Sequence, residues 1–586
     1  MKLGLEIHQR LDTHKLFCSC PSQLAEDVPP DAMIMRRLHP VFSELGEVDK
    51  AAVQEFKKDK TYEYSIFKKN NCLVETDEEP PHEINKEALA IVLEVAFHLN
   101  AKPVDEIHVM RKLVIDGSNT SGFQRTTIIA VNGYLETNKG KVGIPQIALE
   151  EESAGIIEGT EKVAKYRLDR LGIPLIEIST DPDIKDGVHL QEVAEKIGMI
   201  LRATGKVARG LGTIRQDVNV SIEGGTRVEI KGAQDLKMLP TLVENEVARQ
   251  KALLLLYKNI KKITPSITNL TSLFSKTDAK LIKTGLERNH QVVGCKLSLM
   301  KGMIGKEINP NRRFGTELSD YAKMAGVKGI IHSDEDLAKY GMKNEEIETI
   351  RKTLNIADSD AFIMVVAEEK IATQALDYAL LRINAPAVLG ETRRANPDGT
   401  SSYMRPIPGK ARLYPETDIP SFVLDATFLK NTKKQMGESL EEKKEKLKKL
   451  LNPEMAEKIL KSKNLKLFES LVEDGNDPTL VATTLENTLV SLRREGIEIK
   501  ETDRVLAELF SEYLKGSFVK AAIPEILKLI SKGKTIEKAL DEGNLHKLIT
   551  KELEKIAKEN NYEVAKIMQQ YRLCVDPGDL AKLKKK

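Results

Sequence analysis

Polar residues two apart recur inside strand-like apolar runs: Leu5-Glu6-Ile7-His8, Asp217-Val218-Asn219-Val220-Ser221 and Val228-Glu229-Ile230-Lys231. Successive side chains of a strand point to opposite faces, so each run sets its polar members on one face and its apolar members on the other. Leu149-Glu150-Glu151-Glu152 and Pro174-Leu175-Ile176-Glu177-Ile178 add carboxylates in or beside runs that would otherwise be buried. Carboxylates that converge repel one another and stay ionised only around a cation. Glu6, His8, Glu151 and Glu177 are therefore a candidate hard-metal site, and oxygen ligands working on a phosphate suit Mg²⁺. On one strand alone the same alternation describes a half-exposed sheet; five such strands together point to a polar pocket backed by an apolar core. No phosphate-binding loop or His-Glu-x-x-His helix accompanies it.

The elements that must position these residues fall into stretches of different character. Residues 1–263 alternate short apolar segments with Gly, Asn and Asp and carry helical patterns at 85–99, 189–204 and Met238–Lys262, which reads as a large α/β or α+β unit ending before Thr264-Pro265. Residues 264–395 mix strand-like 291–297 and 362–367 with helical 315–326, 344–354 and 371–382, predicting a compact α/β domain. From about 425 the chain reads as helix, rich in Lys and Glu three to four apart.

A chain of 586 residues, 41% apolar and 30% charged, is a multidomain globular protein, and no apolar run reaches the ~18 residues needed to span a membrane. The first residues lack the features of a signal peptide, and five cysteines cannot form a disulfide framework, so a cytoplasmic location is expected. With 90 Lys+Arg against 88 Asp+Glu, nucleic-acid binding would have to come from local patches.

These motifs resemble the GatB/GatE family of tRNA-dependent amidotransferase subunits. The resemblance is carried by 4–8 (GLEIH), 149–155 (LEEESAG), 172–178 (GIPLIEI), 215–221 (RQDVNVS) and 228–231 (VEIK), in that order along most of the chain. The E branch, which is archaeal, is indicated by 116–125 (DGSNTSGFQR), by 77–82 (DEEPPH) and by 315–322 (GTELSDYA), which looks like the extra domain of bacterial-type aspartyl-tRNA synthetases. The stretches 390–394 (GETRR) and 414–420 (YPETDIP) resemble the chain's return into the catalytic cradle.

The resemblance implies a multidomain α/β and α+β fold. A catalytic cradle with a mixed or antiparallel sheet would occupy 1–263 and be completed by about 396–424. An inserted α/β domain of the synthetase-like GAD type would occupy 264–395, an all-helical domain 425–504 and a helical tRNA-binding tail 505–586. It also implies that ATP phosphorylates the γ-carboxylate of glutamate on mischarged Glu-tRNA(Gln) and that ammonia then displaces phosphate. Glu6, His8, Glu151 and Glu177 would bind Mg²⁺; Asp217, Asn219, Glu229 and Lys231 would surround ATP or the acyl phosphate; Arg125, Arg167 and Ser221 would contact phosphate or nucleotide. Ammonia would come from an asparaginase-like partner of the D type, in a heterotetramer of two D and two E chains.

Two other readings compete: a non-catalytic tRNA-binding scaffold, and an aspartyl-tRNA synthetase relative, for which no class II signature is present. Three signals are set aside. Cys18-Ser-Cys20 with Cys72 offers three thiolates, but position 69, which would complete a Cys-x-x-Cys pair, is a lysine, so structural zinc is not expected. Gly210-Leu211-Gly212 reads as a turn leading into a strand, and Cys295, inside an apolar run, as a core thiol.

Overall fold

The structure, a computed structural model, describes residues 1–584 apart from 26, 41–55, 57–58, 161, 211 and 408–412. The chain divides into two compact units, Met1–Met436 and Gly437–Lys586.

The first unit is built on an 11-stranded sheet. In chain order its main strands are β1 (Lys2–Arg10), β2 (Met110–Leu113), β3 (Phe123–Thr137), β4 (Gly140–Glu151), β5 (Pro174–Ser179), β6 (Ile214–Ser221), β7 (Val228–Lys231), β8 (Glu391–Ala395), β9 (Ser401–Pro406) and β10 (Leu413–Pro415). They lie side by side as β9-β8-β7-β6-β1-β5-β4-β3-β2-β10, with Lys102–Pro103 paired to β3 off this path. Along that path only β7 and β8 run parallel, so the sheet is mixed.

The period-two pattern does what strand geometry requires. Leu3, Leu5 and Ile7 on β1, Ile176 and Ile178 on β5, Val218 and Val220 on β6, and Val228 and Ile230 on β7 are at most 1% exposed. Each such side chain contributes ~1.5–3 kcal/mol by leaving water, which fixes the register, because a slip of one residue would bury the polar row instead. Three helices pack on the sheet: α1 (Lys86–His98), α2 (Gly187–Ala203) and α3 (Leu239–Tyr257). Asn85 caps α1 by accepting from the amides of Glu87 and Ala88, Asp186 caps α2 through the His189 amide, and α3 opens with Pro240 in its first turn.

A four-stranded sheet orders Ala32–Arg36, Thr61–Ile66, Val163–Arg167 and Gly155–Gly159 side by side. Between β7 and β8 the chain builds another antiparallel sheet from Ile267–Asn269, Gln291–Leu297, Ala361–Ala367 and Ile331–His332, with helices α4 (Phe314–Ala322) and α5 (Glu369–Asn384). Gln291–Leu297, Ala361–Ala367, α4 and α5 fall where the sequence pattern places them, whereas the short strands Ile267–Asn269 and Ile331–His332 were not read from it.

Where α3, α4, α5 and β8 meet, six charged side chains are buried together. Arg249 Nη1 lies 2.7 Å from Glu317 Oε1 and Nε 2.9 Å from Glu246 Oε2; Arg382 Nε and Arg393 Nη2 lie 3.3 and 3.2 Å from the Glu317 oxygens; Glu391 accepts from Arg393 and Tyr321. Burial opposes ionisation of Glu317, but the three guanidinium groups hold its carboxyl well below the usual carboxylate range.

The second unit is helical. Its main core gathers Leu447, Ile459, Phe468, Leu485, Phe510 and Ile526, and a smaller one Leu553, Ile567, Val575 and Leu580. Among the described residues no helix is long and apolar enough to cross a membrane.

Candidate active site

The centre of the sheet brings Glu6, His8 and Glu177 together. His8 pairs across the ladder with Glu177, and Glu6 with Asp217. His8 Nε2 lies 3.4 Å from Glu6 Oε1 and 3.4 Å from Glu177 Oε2, and one ligand atom from each of the three residues lies within 4.8 Å of the others. On the neighbouring strands Asn219 pairs with Glu229, and the Lys231 ammonium bonds Asp217 and sits 2.6 Å from Glu229 Oε1. Ser221 lies two residues beyond Asn219, opposite Lys2 at the end of β6.

The structure differs from the sequence reading at the fourth expected ligand. Glu150, and not Glu151, turns toward His8, with Oε1 3.7 Å from Nε2 and Oε2 3.5 Å from Lys112 Nζ. The pleat is the reason. Leu149 pairs with Ile176 in the apolar rows, so Glu150 falls on the polar face and Glu151 on the opposite one. The buried Glu151 carboxylate accepts from the Arg125 amide at 2.8 Å and from Asn119 Nδ2 at 3.2 Å. Glu152 returns to the polar face and takes Arg10 and Arg215 at 3.0 and 2.8 Å. The phase of Ile147 and Leu149 was the signal that could have separated the three glutamates.

The charges of the site are unbalanced in a way that favours a divalent cation. Burial, and after it the Glu177 charge, push the Glu6 carboxyl up to about 7. Burial also opposes the charged forms of His8 and Glu177, but their mutual hydrogen bond and nearby opposite charges move His8 up to about 9 and Glu177 down to about 2. Asn219 Oδ1, buried close by on the same face, has no hydrogen-bond partner, and an orphaned acceptor beside converging carboxylates is what a hard cation or a donor group of a ligand would satisfy.

The two expected phosphate-contacting arginines are already engaged. Arg167 belongs to the smaller sheet, where Asp169 receives it in two bonds of 2.8 and 2.7 Å. Arg125 Nε lies 2.7 Å from Glu416 Oε2 and its Nη1 3.6 Å from Glu151. Glu416 also accepts from Arg111 and from the Asp418 amide. Burial opposes its ionisation, yet these bonds hold the carboxyl down to about 2.

Because the folded-state value lies below the ordinary 4.5, Glu416 stabilises the fold fully above that pH, and this contribution is lost as pH falls toward 2. It is on the order of 2 kcal/mol after allowance for screening at the partly open Arg111. Denaturant unfolding of the wild type and Glu416→Gln, followed from about pH 6 to 3, is expected to show the two curves converging as pH falls. Parallel curves would remove the carboxylate from that account.

A second cluster was legible in the sequence only through its three cysteines. Ligand atoms of Cys18, Cys20, Cys72 and Glu75 lie within 4.8 Å of one another. The pair to Cys72 is read forward, as Cys72-Leu73-Val74-Glu75, and not back to Lys69. Glu75 accepts from the Cys18 thiol at 2.9 Å and the Cys72 amide at 2.8 Å, and the fully buried Lys15 Nζ lies 3.0 Å away. Cys18 and Glu75 line a pocket with Arg125 and Glu151. Cys295 is buried, and burial pushes its thiol up.

The family model for the GatB/GatE catalytic domain matches residues 1–430, and one described as a GatB domain matches 466–573. Proteins named as the E component of glutamyl-tRNA(Gln) amidotransferase are similar over nearly the whole chain. That of Pyrococcus furiosus is 47% identical, covering 95% of this chain and 90% of the relative, and that of Methanocaldococcus jannaschii is 47% identical with the same coverage. That of Sulfurisphaera tokodaii is 45% identical across 100% of this chain and 98% of its own.

Proposed function

The chain belongs to the GatB/GatE family, and from that premise we propose that it is the component that activates and amidates glutamate carried on tRNA(Gln). An oxygen of the glutamyl γ-carboxylate attacks the terminal phosphorus of ATP and the bond to ADP breaks. Ammonia then attacks the acyl carbon, phosphate leaves, and the nitrogen gives up a proton to solvent as the amide forms. Such a reaction calls mainly for positioning and charge stabilisation.

The observation that carries this reading is the convergence of Glu6, Glu177 and Glu150 on His8 beside the Asp217, Glu229 and Lys231 group. Glu6, His8 and Glu177 would hold Mg²⁺, with Asn219 Oδ1 a further acceptor; the ion would neutralise charge on the transferring phosphoryl group. Glu150 and Lys112 fix the imidazole and the charge balance behind it. Lys231, kept protonated by Asp217 and Glu229 against the cost of burial, supplies a fixed cation on the same face. Arg125 with Glu151 shapes the adjoining pocket, Ser221 marks the outer end of the polar row, and Arg167 anchors the smaller sheet.

The same reading makes 264–395 the synthetase-like insert, 425–504 a helical domain and 505–586 the tRNA-binding tail of a cytoplasmic enzyme, with ammonia supplied by an asparaginase-like D chain in a complex of two D and two E chains. The test is conversion of Glu-tRNA(Gln) to Gln-tRNA(Gln) by the complex with ATP and an amide donor, and by the chain alone with ATP and an ammonium salt. ATP-dependent amide formation in both is expected. Tight tRNA binding without amide formation from either nitrogen source would leave only a scaffold.

A further inference from the structure

We propose that Arg10 and Arg215 form a phosphate subsite that grips the diphosphate part of the nucleotide, the part that leaves as ADP when the terminal phosphoryl group is transferred. This deepens the reading of the Glu6, His8 and Glu177 centre and rests on it. Both arginines stand on the polar face beside that centre. Arg10 follows His8 by two residues on β1, and Arg215 on β6 is the ladder partner of His8.

What distinguishes the pair is a surplus of positive charge. The buried Glu152 takes Arg10 Nε at 3.0 Å and Arg215 Nη2 at 2.8 Å. Arg170 joins the same group, its guanidinium held by the Ser153 and Ala154 carbonyls at 2.8 Å each. Burial opposes ionisation of Glu152, but Arg215, Arg170 and Arg10 hold its carboxyl below its ordinary value. Burial, and against the pull of Glu152 the nearby Arg215 and Arg10 charges, move Arg170 down. One carboxylate serves three guanidinium groups, which leaves two positive charges over. Among the described residues Glu152 is the one hydrogen-bond acceptor of the Arg10 and Arg215 side chains, and each spends a single nitrogen on it.

The polar face thus has an acidic half, Glu6, Glu177 and Glu150 around His8, and an adjoining cationic half. A phosphate chain suits both: its terminal group at the carboxylates and their cation, its next phosphates at the arginines. The fork of a guanidinium fits phosphate oxygens. Two unspent charges match a diphosphate, whereas a single phosphodiester of a tRNA end carries one. As the glutamyl oxygen attacks the terminal phosphorus, the bond to the bridging oxygen breaks and its electron pair passes to ADP, where the arginines stabilise the charge that gathers.

In calorimetry of the full-length chain with Mg²⁺, Arg215→Gln is expected to raise the dissociation constant of ADP by roughly 10–100-fold while leaving that of AMP, and the Michaelis constant for Glu-tRNA(Gln), within about 3-fold. Glu152 keeps Arg10 and Arg170 in this variant. Arg215→Lys, which keeps the charge and loses the fork, should recover part of the loss. Unchanged ADP binding in Arg215→Gln would overturn the proposal, and a raised Michaelis constant for Glu-tRNA(Gln) in its place would give the subsite to a tRNA phosphodiester. The wild type supplies a check that needs no variant: ADP, and not AMP, should shield Arg215 from phenylglyoxal, read by mass spectrometry, and absent shielding would equally overturn the assignment. A wild type that forms the amide while Arg215→Gln binds ADP normally would sink the subsite alone. One that binds ADP as described but forms no amide would sink the kinase reading and leave the subsite standing.

Discussion

Glu177→Gln is expected to lower the rate of ATP-dependent amidation by on the order of 10³-fold while leaving affinity for Glu-tRNA(Gln) within about 3-fold. The substitution keeps size and shape but removes one carboxylate from the Glu6, His8 and Glu177 set and leaves His8 a neutral amide oxygen in place of its charged acceptor. Electrostatic stabilisation that is made only as charge develops on the phosphoryl group appears in kcat, whereas the proposed function gives tRNA binding to residues 505–586. Glu150→Gln should fall less, by roughly 10²-fold, because it acts through His8 and Lys112. A deeper loss in Glu151→Gln than in Glu150→Gln would place the working carboxylate on the other face of β4. Loss of tRNA binding with unchanged ATP turnover would remove Glu177 from the chemistry.

The second large effect concerns stability. Glu317→Ala is expected to destabilise the first unit by ~3–5 kcal/mol, the usual result of deleting one partner of a buried ionic set. Arg249, Arg382 and Arg393 all lean on that carboxylate and are buried too deeply to recover water. Unfolding monitored in the first unit should move to markedly lower denaturant. A cost under ~1 kcal/mol would mean that Glu246 and Glu391 suffice for the three arginines.

The strands of the cradle were legible because one face is apolar through their middle: Leu5 and Ile7, Val218 and Val220, and Val228 and Ile230 leave no choice of phase. The same rule brought Glu6, His8, Glu177, Asp217, Asn219, Glu229 and Lys231 to a single face. It was not carried one residue further along β4, where three consecutive glutamates give no contrast of their own and only Leu149 sets which of them turns inward. The cysteine cluster was legible only in part, through Cys18, Cys20 and Cys72, for a different reason. Its fourth donor is a carboxylate, and the spacing rule looks for sulfur or imidazole. Nor does spacing announce salt bridges that span hundreds of residues, such as Arg125 with Glu416.

That long reach bears on how the protein is made. β2 takes its outer neighbour β10 from residues 413–415, and β7 takes β8 from 391–395. A ribosome adding ~5–20 residues per second needs ~15–60 s to go from Arg125 to Glu416. Through that interval a half-assembled sheet shows two unpaired edges and a cavity of unmatched charge, a state open to wrong pairing. Folding of the intervening segment, which exits from β7 and re-enters alongside it, therefore sets when the nascent sheet can close. Slow codons or chaperone capture between these points should govern yield more than any change to the finished core.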